Sequence, residues 1–103
     1  MPNFDVIGHR GAMGLEPENT LRSFKKALSL GVDGLEFDVQ NIHGELLVFH
    51  DESLERTTNG NGKLLNHSVE ALRQLDAGKG EQIPTLAEVV ELIGDQAFIN
   101  IEL

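Results

Sequence analysis

The stretch GVDGLEFDVQ, residues 31–40, decides the fold, because two acids interrupt a run that otherwise has the composition of a buried strand. From Leu35 onward every second residue is apolar, and the two-residue period of a strand places Glu36 and Asp38 together on the opposite face. Two carboxylates that share an enclosed space repel each other and lose hydration, so one must take up a proton or a cation must be present. The stretch therefore predicts a strand with a polar site on one side.

Composition limits the class of protein. The 103 residues allow one domain at most, and 40% hydrophobic with 24% charged residues is typical of a globular chain. Seventeen acids against eight bases give a net charge of −9, which argues against nucleic acid or an anionic membrane as a partner. The absence of cysteine excludes disulfides, thiolate metal sites and a cysteine nucleophile. No apolar run approaches the roughly 18 residues of a membrane span, and the start lacks a secretory signal pattern, so we expect no stable membrane insertion and a cytoplasmic location.

The chain has the pattern of strands alternating with helices, which predicts βαβ units and a parallel sheet. Strands are predicted at 4–9, 32–40, 45–51 and 97–103, with turn-like NIHG (41–44) making a hairpin of 35–51, and helices near 18–31, 68–78 and 84–94. Asn19 is the predicted N-cap of the first helix and Gly31 its terminator. Ser68 caps the second, and Thr85 and Glu88 have the spacing of a capping box in the third.

Polar residues of catalytic type follow the predicted strands. The set comprises His9, Arg10, Glu36, Asp38, His50, Asp51 and Glu102. Because the carboxyl ends of parallel strands meet at one edge of a sheet, we expect these side chains to lie close together.

Three acids suit a hard, oxygen-ligated ion such as Mg²⁺ or Ca²⁺. Two histidines beside that ion could act as general base and general acid near neutral pH, and an arginine can bind a phosphate through two hydrogen-bond donors. The residues alone therefore predict a metal-assisted hydrolase of an anionic ester.

Eight blocks in order, GHRG, PENT, LEFDVQ, LVFHD, LERTTNGNG, LDAG, IPTLAEVVELI and INIEL, resemble the glycerophosphodiester phosphodiesterase family. The resemblance implies an α/β fold, the N-terminal portion of a TIM (β/α)₈ barrel, with a small insertion after the second strand at about residues 41–80. Residues 1–103 would then be a partial domain, truncated at the C-terminus within the third of eight strands. The lysine that the family carries just after its IEL block is absent, and His43 stands where the family usually has an acid.

The same resemblance implies hydrolysis of small-molecule glycerophosphodiesters to sn-glycerol 3-phosphate and an alcohol, with Mg²⁺ or Ca²⁺ as cofactor. It implies that His9 and His50 are the catalytic pair, with His9 as base and His50 as acid, or the reverse. It further implies that Arg10 binds the phosphate and that Glu18 is a supporting residue. The implied metal ligands are Glu36, Asp38 and Glu102.

Two other functions stay open at the level of sequence. The chain could be an inactive remnant that binds a phosphate-bearing metabolite or forms a homo-oligomer through an exposed strand edge at 97–103. It could instead cleave lysophospholipid or phosphoinositide head groups, although its negative charge disfavours membrane substrates. His43 and His67 fall in turn and pre-helix positions, and we expect both at the surface.

Overall fold

The computed structural model describes residues 6–103, and its strands and helices alternate as the sequence predicts. In chain order the elements are β1 (Ile7–His9), α1 (Leu21–Ser29), β2 (Gly34–Ile42), β3 (Glu45–Val48), a 3₁₀ turn (Leu64–Asn66), α2 (Val69–Arg73), α3 (Leu86–Ile93) and β4 (Phe98–Glu102). The predicted first strand began at residue 4, and its first two residues lie outside the described part of the chain.

The strand β2 is the centre of the sheet. It pairs in parallel with β1, where His9 lies opposite Glu36, and in parallel with β4, where Glu102 lies opposite Asp38. Its far end pairs antiparallel with β3. The link is the tight turn at His43 and Gly44, whose φ angles of 52° and 92° match the favoured two-residue hairpin turn. The predicted parallel sheet and hairpin are thus confirmed.

Alternation along β2 divides its side chains between a core and a polar face, as predicted. Leu35, Phe37 and Val39 are buried with Phe24 of α1 in a core that also includes Val89 and Ile93 of α3. The Phe24 and Phe37 rings meet edge to face, with centroids 5.3 Å apart. Because this core anchors one face of β2, the opposite face is fixed toward the polar site.

The N-terminus of α1 differs from the prediction. Thr20, and not Asn19, is the N-cap: its hydroxyl accepts from the Ser23 amide at 3.1 Å. Asn19 has a φ of 55° and lies just outside the helix, which leaves its side chain free for another contact. Gly31, with a φ of 78°, ends the helix as predicted.

The two later helices follow their predicted starts. Ser68 caps α2, and Thr85 forms a complete capping box with Glu88 at the start of α3. The predicted end of α2 near Gly78 is wrong, because the helix stops at Arg73 and the Asp76 carboxylate accepts from two glycine amides just beyond. None of the helices in residues 6–103 is long and apolar enough to cross a membrane.

A second hydrophobic cluster joins the hairpin to the segment that follows it. Its buried members are Ile42, Leu47, Phe49, Leu54, Leu64, Leu72, Ala77 and Ile83. Because Phe49 and Leu54 flank the segment that carries His50 and Asp51, this cluster fixes that segment against the sheet.

Candidate active site

A cavity of about 410 Å³ opens where β1, β2 and β4 end. Six predicted site residues line it, together with Val39, Gln40, Phe49 and Leu103: His9, Arg10, Glu36, Asp38, His50 and Glu102. The expectation that polar side chains collect at the carboxyl edge of the sheet is therefore confirmed in position for these six, whereas Asp51, the seventh of the set, is not part of the wall that the described residues form. Glu18 is absent from the cavity wall that the described residues form, but it accepts a hydrogen bond from Arg10, which lines the cavity.

His9 pairs with the neighbouring strand. Its Nδ1 contacts Oε2 of Glu36, the residue directly opposite in the register. An ionised carboxylate can only accept, so this contact assigns the hydrogen to Nδ1 and leaves Nε2 as the free nitrogen of His9. The other oxygen of Glu36, Oε1, is buried and has no hydrogen-bond partner.

Arg10 is held at both backbone and side chain. Its φ is 51°, its amide donates to the Glu36 carbonyl at 2.7 Å, and its carbonyl accepts from the Asn19 amide at 2.9 Å. The Nη1 atom donates to Glu18 Oε2 at 3.2 Å. The Nε atom lies 3.3 Å from Asp38 Oδ2 without hydrogen-bond geometry, so this contact is an ion pair only. The guanidinium of Arg10 thus lies between two acids.

Asn19 is a site residue that the sequence analysis assigned only to a helix cap. It is 3% exposed, and its Nδ2 donates to Asp38 Oδ2 at 3.1 Å. Its Oδ1 is buried without a partner. The signal available in the sequence was the pair Asn19–Thr20, since two cap-forming residues in succession leave one free for a different contact.

His50 is held by its chain neighbour. Its Nδ1 lies 2.6 Å from Asp51 Oδ1, and Gln40 Nε2 donates to the carbonyls on either side, those of Phe49 and Asp51. The hydrogen bond from Arg56 and then that from His50 lower the pKa of Asp51 to about 2, although burial opposes them. Ionised Asp51 only accepts, so the hydrogen of His50 resides on Nδ1 and Nε2 is left free.

Glu18 lies between two arginines. Burial alone would raise its pKa, but hydrogen bonds from Arg56 and the charges of Arg56 and Arg10 outweigh burial and lower it. The contact of Glu18 with Arg10 is the geometry that a supporting residue needs, and the role itself stays a prediction. Sequence reasoning gave no role to Arg56, although this residue stands in a quoted block, because its partner Glu18 is 38 residues away.

The three acids predicted to bind a metal all line the cavity, and Asp38 and Glu102 are direct register neighbours. Glu102 itself is exposed. Within residues 6–103, no three acidic, histidine or cysteine side chains are gathered in an arrangement ready to hold an ion. The donor set nonetheless fits a hard cation, because it consists of carboxylate oxygens and Glu36 Oε1 is buried without any partner. The metal set stays a prediction.

The sequence profile of the glycerophosphoryl diester phosphodiesterase family matches residues 9–103. The chain belongs to this family. Among family relatives, the glycerophosphodiester phosphodiesterase of Caldanaerobacter subterraneus is 50% identical over 95% of this chain and 44% of its own length. The enzyme of the same name from Bacillus altitudinis is 43% identical, again over 95% of this chain and 44% of its own length. The chain therefore spans about half the length of these relatives.

Solved structures of the glycerophosphoryl diester phosphodiesterase family share the fold. A glycerophosphodiester phosphodiesterase from Agrobacterium tumefaciens superposes with a TM-score of 0.93 at 38% identity, covering 98% of this chain and 47% of that one. A phosphodiesterase from Oleispira antarctica, solved with the product sn-glycerol-3-phosphate, gives 0.92 at 40% identity, covering 97% of this chain and 44% of that one. These matches identify the mixed sheet and its helices as part of an α/β barrel.

Proposed function

We propose that this chain carries the N-terminal part of the active site of an enzyme that hydrolyses glycerophosphodiesters to sn-glycerol 3-phosphate and an alcohol. One observation carries the proposal: two imidazoles, a guanidinium and three carboxylates surround a single cavity at the ends of three parallel strands. Family membership and the product named for the Oleispira antarctica relative support the same substrate class.

In this proposal the two histidines move protons. The Nδ1 atoms of both rings are engaged by carboxylates, which leaves the two Nε2 atoms for proton transfer. Nε2 of His9 would accept a proton from the attacking oxygen, and Nε2 of His50, once it carries a second proton, would give that proton to the departing alcohol. The opposite assignment is equally compatible with these contacts. The attacking oxygen is either water or a hydroxyl of the glycerol itself, in which case a cyclic phosphate forms first.

Arg10 is proposed to bind the phosphate. Its guanidinium lines the cavity, and its ion pairs with Glu18 and Asp38 hold it in place. A planar guanidinium can offer two parallel donors to phosphate oxygens.

Charge in the cavity supports a role for a divalent cation. Three carboxylates against one guanidinium would repel a phosphodiester, so an anionic substrate needs additional positive charge at this point. We propose that Glu36, Asp38 and Glu102 hold Mg²⁺ or Ca²⁺. When bound, such an ion would polarise a phosphate oxygen and offset the charge of the acids.

We also infer that about residues 41–80 form an insertion between barrel elements. Most buried side chains between Ile42 and Ala77 pack in a cluster separate from the one beneath β2, which is the support for this inference; Val48 alone belongs to the cluster beneath β2. The expected small-molecule partner follows from the proposed reaction, and the cytoplasmic location stays a prediction.

The experiment is an assay of glycerophosphocholine hydrolysis that detects sn-glycerol 3-phosphate, with and without a chelator. We expect turnover that a chelator abolishes and that is lost in His9→Ala and His50→Ala, whereas His43→Ala, on an exposed turn, retains it. Turnover that resists the chelator would refute the metal role. Lysophospholipid hydrolysis in the absence of glycerophosphocholine hydrolysis would refute the proposed substrate class.

A second candidate function rests on β4. Phe98 and Ile101 are 45% and 38% exposed, and within residues 6–103 the strand pairs only with β2, which leaves one edge of β4 unpaired. Unpaired apolar edges favour strand addition, so the 103-residue chain could be a self-associating module that binds phosphate metabolites without turnover. Light scattering tests this function: a concentration-dependent dimer favours it, and a monomer at every concentration refutes it.

A further inference from the structure

One arginine outside the cavity wall connects two parts of the site. Arg56 lies in the segment between β3 and the 3₁₀ turn, and the cavity wall formed by the described residues does not include it. Its guanidinium donates to Asp51 through Nε at 2.8 Å and Nη2 at 3.0 Å. It also donates to Glu18 through Nη1 at 2.8 Å and Nη2 at 2.9 Å. Only a planar, multi-donor group can bridge two carboxylates in this way.

Each of these carboxylates holds a residue of the cavity. Asp51 Oδ1 lies 2.6 Å from His50 Nδ1, and Glu18 Oε2 accepts from Arg10 Nη1 at 3.2 Å. A continuous line of contacts with alternating charge therefore runs from the imidazole to the phosphate-binding guanidinium, with Arg56 at its centre.

The backbone around Arg56 is fixed. Leu54 is fully buried in the second hydrophobic cluster, its amide donates to the Gly62 carbonyl at 2.9 Å, and its carbonyl accepts from the Thr58 amide at 3.0 Å. These contacts close the loop on both sides of Arg56. The arginine can therefore act as a rigid connection, although its side chain is 49% exposed.

We propose that Arg56 is a positioning residue that orients His50 through Asp51 and Arg10 through Glu18, and so sets the spacing between the proton-transferring ring and the phosphate-binding group. The roles of His50 and Arg10 in this statement rest on the proposed function, whereas the four hydrogen bonds of Arg56 do not. Without Arg56, the carboxylates of Asp51 and Glu18 would repel each other, and Asp51 would lose the group that fixes both its oxygens. The Nδ1–H form of His50, which depends on the contact with Asp51, would then be less favoured.

The test uses nuclear magnetic resonance of the 103-residue chain with ¹⁵N-labelled histidine and ¹³C-labelled aspartate. In the wild type, we expect a His50 Nδ1–H signal and an Asp51 carboxyl that titrates near 2. In Arg56→Ala we expect a mixture of His50 tautomers and movement of the Asp51 midpoint toward the ordinary 3.8. The matched control is Arg22→Ala, since Arg22 is also 49% exposed and pairs with Glu16 away from the cavity. This control should leave both signals unchanged.

Arg56→Lys provides a second variant that keeps the charge. A single ammonium cannot bridge both carboxylates, so its Asp51 midpoint and His50 tautomers should fall between those of the wild type and Arg56→Ala. The proposal is overturned if Arg56→Lys, and Arg56→Ala where it folds, both retain the wild-type His50 tautomer and an Asp51 midpoint near 2. Because these signals need no turnover, this test decides the role of Arg56 independently of the outcome of the glycerophosphocholine assay.

Discussion

Ser23 connects the helix α1 to the loop that carries Arg10, and its removal should measurably weaken the fold. Its hydroxyl is fully buried, accepts from the Ala12 amide at 2.7 Å and donates to the Arg10 carbonyl at 3.2 Å. In Ser23→Ala, the Ala12 amide keeps the Ser23 carbonyl at 3.2 Å and the Arg10 carbonyl keeps the Asn19 amide at 2.9 Å. The full penalty of an unpaired buried group is therefore avoided.

The expected loss follows from the two hydrogen bonds. Each contributes about 1 kcal/mol, and alanine returns about 0.5 kcal/mol through its higher helix propensity. We therefore expect the free energy of unfolding to fall by about 1.5 kcal/mol, which for a chain of this size lowers Tm by about 6–12 °C. Urea unfolding with a shared m-value measures the difference.

Ser29→Ala is the matched control on the same helix. Its hydroxyl also bonds to a backbone carbonyl, that of Lys26 at 2.6 Å, but it is exposed, so the change should stay within about 0.5 kcal/mol. If Ser23→Ala and Ser29→Ala lower the free energy of unfolding equally, the inferred attachment of the Arg10 loop to α1 is wrong.

Three further changes test other parts of the structure. Gly11→Ala should lower the melting temperature far more than Gly14→Ala. Both glycines have positive φ, but an added Cβ at Gly11 would lie 2.4 Å from Ser23 Oγ, whereas an added Cβ at Gly14 would meet open space. Equal losses in the two variants would contradict this. Thr85→Ala removes the capping box of α3 and should cost about 1 kcal/mol in urea unfolding, with no loss counting against the cap. Asp51 has a folded pKa of about 2 against an ordinary 3.8, so its contribution to stability is present above pH 3.8 and lost as the pH falls toward 2. Thermal melts across this range should show a steeper decline for the wild type than for Asp51→Asn, and parallel declines would refute the contribution.

Local sequence patterns were enough to predict much of the fold. The alternation along β2, the capping box of Thr85 and Glu88, and the terminating Gly31 each depend on a few neighbouring residues, so sequence alone could predict them. The exposed position of Val90 shows the limit of such patterns: Val89, Val90 and Ile93 have the spacing of one apolar stripe on α3, yet Val90 is 44% exposed whereas the other two are fully buried. Which side of a helical stripe is covered depends on the neighbouring elements.

Contacts between distant segments could be predicted only where the parallel sheet determines them. The position of His9 opposite Glu36 follows from the strand register, and the collection of polar side chains follows from the parallel sheet. The bridge made by Arg56 depends instead on how a loop folds onto the second hydrophobic cluster. Likewise, the choice of Thr20 over Asn19 as the cap of α1 depends on Asp38, which competes for the Asn19 side chain from another element.

The most direct test of the central claim, that Glu36, Asp38 and Glu102 hold a divalent cation beside the two histidines, is the thermal stability of the wild type and Glu36→Gln during titration with Ca²⁺ or Mg²⁺. Binding to the folded state alone stabilises it by about 2.7 kcal/mol at a hundredfold excess over Kd. We predict a saturable rise in Tm for the wild type that Glu36→Gln loses, since the substitution neutralises the buried carboxylate whose Oε1 has no partner. A wild-type Tm that neither ion changes, or an equal rise in both proteins, would contradict the claim.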